Sequence, residues 1–145
     1  MKNIAVLLLL LAVALITAGC SPKSTLGTVK ITGEVLLDDE PVSGIIVNFK
    51  PRGGEKNSGV GRTDGKGNYT LTTAHEPVGS GVVPGEYDVT FKKVVYEDES
   101  GKLLPKPLYV VPQKYESPKT SGIEPVKVEA GKNQPFKFEL KTTGN

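Results

Sequence analysis

Tryptophan is absent from this sequence, and cysteine and histidine occur once each. A single cysteine excludes an internal disulfide, so the fold must be held by a packed core. A single histidine, His75 beside Glu76-Pro77, has no second imidazole for a zinc site and no placed partners for a Ser/His/Asp relay. It reads as a surface loop residue. Basic blocks are missing too: 18 Lys and Arg are interspersed with 16 Asp and Glu, which removes the clustered positive face that nucleic-acid binding needs. Also missing is any extended stretch with helical periodicity, and with it an all-α fold.

Metal-binding patterns fail for local reasons. Asp64-x-Lys66-x-Asn68 has the alternation of a calcium loop, but a lysine stands where a ligand oxygen is required. Asp38-Asp39-Glu40 and Glu97-Asp98-Glu99 are acidic runs of the kind that form solvated turns. No cofactor and no metal is expected, and enzyme activity is not expected.

Only one long apolar run is present. Met1-Lys2-Asn3 gives a basic start, Ile4 to Ile16 is unbroken hydrocarbon, and Thr17-Ala18-Gly19-Cys20 follows. Thirteen apolar residues fall short of the roughly 20 that span a bilayer, whereas a basic start, a short apolar core and a small-residue exit describe a secretory signal peptide. The cysteine's setting resembles the lipobox of bacterial lipoproteins, although Thr17 stands where Leu is commonest. That resemblance implies removal of residues 1–19, a diacylglyceryl group on the Cys20 sulfur, and usually a further acyl chain such as palmitate on the new amino group. Two or three chains make a stable anchor where one does not. Ser21 in place of Asp leans, by the same resemblance, towards the outer membrane over the inner. The alternative is ordinary signal cleavage and a soluble exported domain.

Removal of the signal leaves 126 residues, the size of one domain. Residues 20–27 form the lipidated cysteine and a polar tether, and residues 28–145 the domain. Seventeen Gly, eleven Pro and nine aromatics suit a turn-rich β protein.

Period-two alternation begins at once. Val29, Ile31, Gly33, Val35 and Leu37 alternate with Lys30, Thr32, Glu34 and Leu36, the mark of a half-buried strand. Ile45, Val47 and Phe49 repeat it. Ser58 to Thr63 carries Gly59 and Gly61, a hint of close backbone approach or a bulge. Tyr69, Leu71 and Thr73 follow, then Tyr87, Val89 and Phe91, then Val126 and Val128, and last Phe136, Phe138 and Leu140. The pattern predicts seven short strands in an all-β, antiparallel β-sandwich, since a β chain of this length must cover its apolar faces by pairing two sheets. Between the Phe91 and Val126 strands lies a Pro-rich segment, about 94–125, with Pro105, Pro107, Pro112, Pro118 and Pro125. Its Leu103, Leu104, Leu108, Tyr109 and Tyr115 are too apolar for a simple disordered loop, and the expectation is a long loop packed across a sheet.

Three stretches carry a family resemblance. Gly33-Glu34-Val35 through Asp38-Asp39-Glu40-Pro41-Val42-Ser43-Gly44 to Ile45-Ile46-Val47-Asn48-Phe49 resembles the opening of carboxypeptidase regulatory-like domains, with Glu40 where the first turn usually has Gly. Thr63-Asp64-Gly65-Lys66-Gly67-Asn68-Tyr69-Thr70-Leu71 resembles that family's T-D-x-x-G-x-Y-x-L turn, and Pro84-Gly85-Glu86-Tyr87-Asp88-Val89 its P-G-x-Y-x-V. Pro112 to Gly122 resembles a subgroup of small bacterial lipoproteins with one such domain. The resemblance implies a transthyretin-like, seven-stranded sandwich that does no chemistry and acts as an adhesive, carbohydrate-contacting or scaffolding module.

The turns also have local reasons. Asp64 can accept from backbone amides, Gly65 and Gly67 permit positive φ, Tyr69 is placed to pack inward, and Pro84-Gly85 delivers Tyr87 to the core side. The functional expectation is an extracytoplasmic, membrane-anchored, non-catalytic binding or structural module of the cell envelope. Tyr109 and Tyr115 of the Pro-rich segment are the candidate partner-binding residues. The partner is an envelope protein or a glycan; absence of Trp argues against a strong sugar platform.

Overall fold

A computed structural model describes residues 24–54 and 57–143. The expected signal peptide 1–19, the expected lipidation site Cys20 and the first tether residues 21–23 lie outside the described residues. Alternating apolar side chains become strands where the period predicts them: β1 (Ile31–Leu37), β3 (Ile46–Pro51), β4 (Gly59–Arg62), β5 (Asn68–Thr70) with β6 (Thr72–Thr73), β7 (Gly85–Lys92), β10 (Val126–Val128) and β11 (Gln134–Leu140). Three further segments are strands: β2 (Glu40–Pro41), β8 (Val94–Glu97) and β9 (Leu103–Tyr109). Among the described residues the expected seven therefore become eleven.

One sheet is ordered β11-β1-β2, with β5 also paired to β1, and a second is ordered β10-β7-β3-β4-β6. Their inner faces meet through the phenylalanines. Phe138 of β11 lies 5.0 Å from Phe91 of β7 and 6.3 Å from Phe49 of β3, ring centre to ring centre. Ile31, Val35, Val47, Leu71, Tyr87, Val89 and Leu140 complete this apolar layer, all buried. A fully buried side chain of this size contributes about 1.5–3 kcal/mol, so this layer dominates stability.

Most pairings are antiparallel, but β1 and β11 run parallel, from Ile31 opposite Gln134 to Leu37 opposite Leu140. The expectation of a wholly antiparallel arrangement is corrected here. Period-two patterning fixes which side chains face inward and carries no information on the direction of a partner about a hundred residues away.

The expected long loop at 94–125 is also corrected, in its first half. β8 and β9 pair as an antiparallel hairpin, Val94 opposite Tyr109 and Val95 opposite Leu108, in a two-stranded sheet of their own. The prolines that argued against a strand, Pro105 and Pro107, are tolerated because among the described residues β9 has a partner on one edge only. In its second half the segment does lie on the core: Val111 and Tyr115 are buried, and a 3₁₀ turn at Gln113–Glu116 leads into a one-turn helix at Pro118–Ser121.

The strand directions define two ends. β7 starts at Gly85, next to β10, and finishes at Lys92, from which the hairpin departs. Its eight residues span about 26 Å. Ser24, Gly27, the Pro77–Ser80 turn, Pro84 and Asn133 share a hollow at the first end. The β8–β9 hairpin stands at the other.

Candidate functional site

The three family-like stretches form one connected structural network. The Thr63 hydroxyl, buried, donates to the Val42 carbonyl at 2.6 Å and accepts from the Ile45 amide at 2.9 Å, pinning the first stretch to the second. Asp64 accepts at Oδ1 from the amides of Lys66 (2.8 Å) and Asn68 (2.9 Å). Those donors, the Lys66 amide foremost, hold its carboxyl below the usual aspartate range. Gly67 has φ +79°, and its carbonyl accepts from the Val35 amide at 2.9 Å. Gly65 departs from expectation: it is not at positive φ, and a side chain there would meet nothing within 4 Å. Tyr69 is buried, and Tyr87 is buried with its hydroxyl donating back to the Val83 carbonyl at 2.6 Å, across the bend at Pro84. Gly85 is the first residue of β7. These positions shape the fold.

The Asp38-Asp39-Glu40 turn is explained as well. Asp38 and Asp39 have φ of 52° and 69°, the paired positive values that a two-residue hairpin between β1 and β2 requires. Glu40 falls after the turn, inside β2, so the glycine expected at that position is not needed. Asp38 accepts from the Thr142 amide at 3.0 Å and from its hydroxyl, and Asp39 pairs with Lys141 at 2.6 Å. The acidic turn thereby fastens the C-terminal segment. Among the described residues no group of three or more His, Cys, Asp or Glu is gathered as a metal site.

The two candidate tyrosines separate. Tyr115 is 5% exposed, with its ring edge-on to Phe91 at 6.5 Å. Its hydroxyl accepts from the Lys141 amide at 3.0 Å and donates to the Lys141 carbonyl at 3.3 Å. Tyr115 is therefore a core residue and is withdrawn as a partner contact: its ring fills the space beside β7. Tyr109 is 41% exposed and sits opposite Val94 in the hairpin.

Sequence reasoning did not single out the other exposed apolar residues of this hairpin. Tyr96 is 59%, Leu108 57% and Leu103 71% exposed, all on the same hairpin. A signal was available. Asp98-Glu99-Ser100-Gly101-Lys102 repeats the pattern of Asp64-Gly65-Lys66-Gly67-Asn68. In each, the aspartate Oδ1 accepts from the amides two and four residues on, its own amide donates to the fourth residue's carbonyl, and the glycine has φ near +80°. The same D-x-x-G turn therefore joins β4 to β5 and β8 to β9.

At the base of the hairpin, over the outer face of the second sheet, lies a hollow of about 390 Å³ walled by Gly44, Arg62, Lys92, Lys93 and Tyr96. A side chain on Gly44 would begin 3.9 Å from both the Arg62 guanidinium and the Lys93 stem, so the bare glycine leaves the space between them open. The Lys93 ammonium donates to the Ser43 carbonyl at 2.7 Å, and Lys92 pairs with Glu116 at 3.1 Å. The Glu116 hydrogen bond foremost, with the nearby Tyr96 and Tyr109 contributing least, holds Lys92 above the usual lysine range. A neighbouring hollow of about 170 Å³ runs along Ile46, Asn48, Thr90 and Glu116. In it Asn48 Oδ1 and Glu116 Oε1 are buried with no donor among the described residues. Together these form a groove with three cations, an aromatic wall and two buried acceptors. Compared with protein-family models, with curated proteins and with solved structures, the chain matches none.

Proposed function

We propose that this chain is a lipid-anchored, non-catalytic binding module of the bacterial cell envelope, a carboxypeptidase regulatory-like sandwich of transthyretin-like type. One observation carries the binding assignment: the β8–β9 hairpin forms a two-stranded sheet of its own and exposes Tyr96, Leu103, Leu108 and Tyr109, with Tyr96 also walling the Arg62–Lys92–Lys93 groove at its base. Aromatic and leucine contacts ringed by cations suit a protein partner that brings an apolar patch flanked by carboxylates. Thr17-Ala18-Gly19-Cys20 supports the anchor. The interlocking of the first two family-like stretches through Thr63, Gly67 and Gly33, and the pairing of the first with the third where Phe49 lies opposite Val89, support the family reading.

Photo-crosslinking tests this directly. A benzoylphenylalanine placed at Leu103 or Tyr96 in producing cells should give one discrete adduct that the same probe at Glu139, on the other sheet, does not give. Identical adducts at all three positions would sink the assignment. Intact-mass analysis of the membrane fraction, with Cys20→Ala beside it, tests the anchor: a mature chain without acyl mass means a soluble exported domain.

A carbohydrate ligand is the second reading, favoured by the orphaned Asn48 and Glu116 oxygens, which suit sugar hydroxyls. A glycan array without hits removes it.

A further inference from the structure

We infer that the end of the sandwich built by Thr25–Gly27 and the Pro77–Ser80 turn docks on the lipid surface, with Val78 and Leu26 as its apolar contacts. This rests on the reading of Cys20 as the lipidated residue. Three residues lie between Cys20 and Ser24, and the four residue-to-residue steps reach at most about 14 Å. The headgroup layer itself is about 5–8 Å thick on each side of the hydrocarbon. Whatever surrounds Ser24 is therefore held at the membrane.

The tether cannot lengthen by peeling off the domain without breaking a specific clamp. The Glu76 carboxylate accepts from the Thr25 amide at 2.9 Å and from the Thr25 hydroxyl. Hydrogen bonds from Ser24 foremost, then Thr25 and the Leu26 amide, hold its carboxyl below the usual glutamate range. The Glu76 carboxylate is thus occupied by donors of the tether.

One residue beyond Glu76 begins a tight turn. The Ser80 amide donates to the Pro77 carbonyl at 2.9 Å, Gly79 has φ +76°, and the Gly79 amide donates to the Thr72 hydroxyl at 2.8 Å. This anchored turn holds Val78 at its tip, 96% exposed, and Leu26 beside the clamp is 43% exposed. Lys30, also exposed, lines the same hollow as Val78 and brings a cation to an anionic headgroup layer. A valine fully in water on a fixed turn, at the point where the tether enters, has the bilayer as the surface within reach. The exposed hairpin is excluded as the lipid contact, since it stands at the far end of β7.

The test uses the full lipidated chain in vesicles of phosphatidylethanolamine and phosphatidylglycerol. Cys20 is occupied by lipid, so Val78→Cys and, separately, Leu103→Cys each add one thiol for a nitroxide. Power saturation should show the label at 78 several-fold less accessible to a water-soluble nickel relaxant, relative to oxygen, than the label at 103. Equal nickel access at both positions on an acylated chain would overturn the docking and leave the anchor standing. A chain whose intact mass carries no acyl groups would overturn the anchor and the docking with it.

Discussion

Tyr69 lies across Gly33 and donates its hydroxyl to the carbonyl of Phe136, 3.1 Å away, so one side chain ties three adjacent strands together. Gly33 sits opposite Tyr69 on one side and Phe136 on the other. A side chain on Gly33 would begin 1.9 Å from the Phe136 oxygen and 2.6 Å from the Tyr69 hydroxyl. Gly33→Ala should destabilise by about 1–3 kcal/mol or more, the cost of overpacking. Tyr69→Phe should cost about 0.5–1.5 kcal/mol, one hydrogen bond. Urea midpoints at constant slope measure both, and an unchanged midpoint for Gly33→Ala would contradict the packing described.

Gly65 and Gly67 should respond in opposite directions. Gly65 is in open space without positive φ, so Gly65→Ala should be neutral or stabilise by up to about 1 kcal/mol through the unfolded chain. Gly67→Ala meets both a left-handed φ and the Val35 carbonyl 2.7 Å from the new atom, and should destabilise clearly. Equal shifts in melting temperature for the two variants would refute the turn geometry.

Tyrosines at the candidate surface should separate stability from binding. Tyr115→Ala should lower stability by about 3–5 kcal/mol, as for other buried aromatics. Tyr96→Ala and Tyr109→Ala should each stay within about 0.5 kcal/mol of the parent while reducing crosslinked adduct. Thermal melts run beside the crosslinking assay check this.

Stability should fall in acid and again in strong alkali. Asp38, Asp64, Asp98 and Glu76 all have carboxyls held low, chiefly by hydrogen bonds from Thr142, Lys66, Ser100 and Ser24 respectively. Their contribution is complete above the unfolded carboxylate range and is lost as pH drops from about 4 downward. Burial raises the Tyr69 and Tyr87 hydroxyls, so the folded state keeps protons that the unfolded chain releases above about pH 10, and stability declines there. Urea titrations across pH should show both limbs; Asp64→Asn should flatten the acid limb.

Removing the Glu76 carboxylate should free the tether and leave the sandwich intact. In Glu76→Ala, amide exchange at Thr25 should accelerate strongly while Val47 and Val89 in the central strands stay protected. Unchanged exchange at Thr25 would mean the clamp does not hold in solution.

Much of the fold was legible because alternation is a local property. The apolar sites at Ile31, Val35, Val47, Phe49, Tyr87, Val89, Phe91, Phe138 and Leu140 are all buried, and the glycines of β4 do mark close approach: a side chain on Gly59 would begin 2.1 Å from Val82. The hairpin was hidden by its prolines, and Tyr115 looked like a surface residue because its partner Lys141 is 26 positions away.

By itself, then, the sequence determined the strands that alternate and which of their side chains face inward, both written in neighbouring residues. Tertiary structure alone decided the parallel pairing of β1 with β11, the burial of Tyr115, the convergence of Arg62, Lys92 and Lys93 on Gly44, and the clamp of Glu76 on Thr25. Each of these depends on contacts between residues 18 to 103 positions apart, where periodicity has no reach and only the packing of the two sheets brings the groups together.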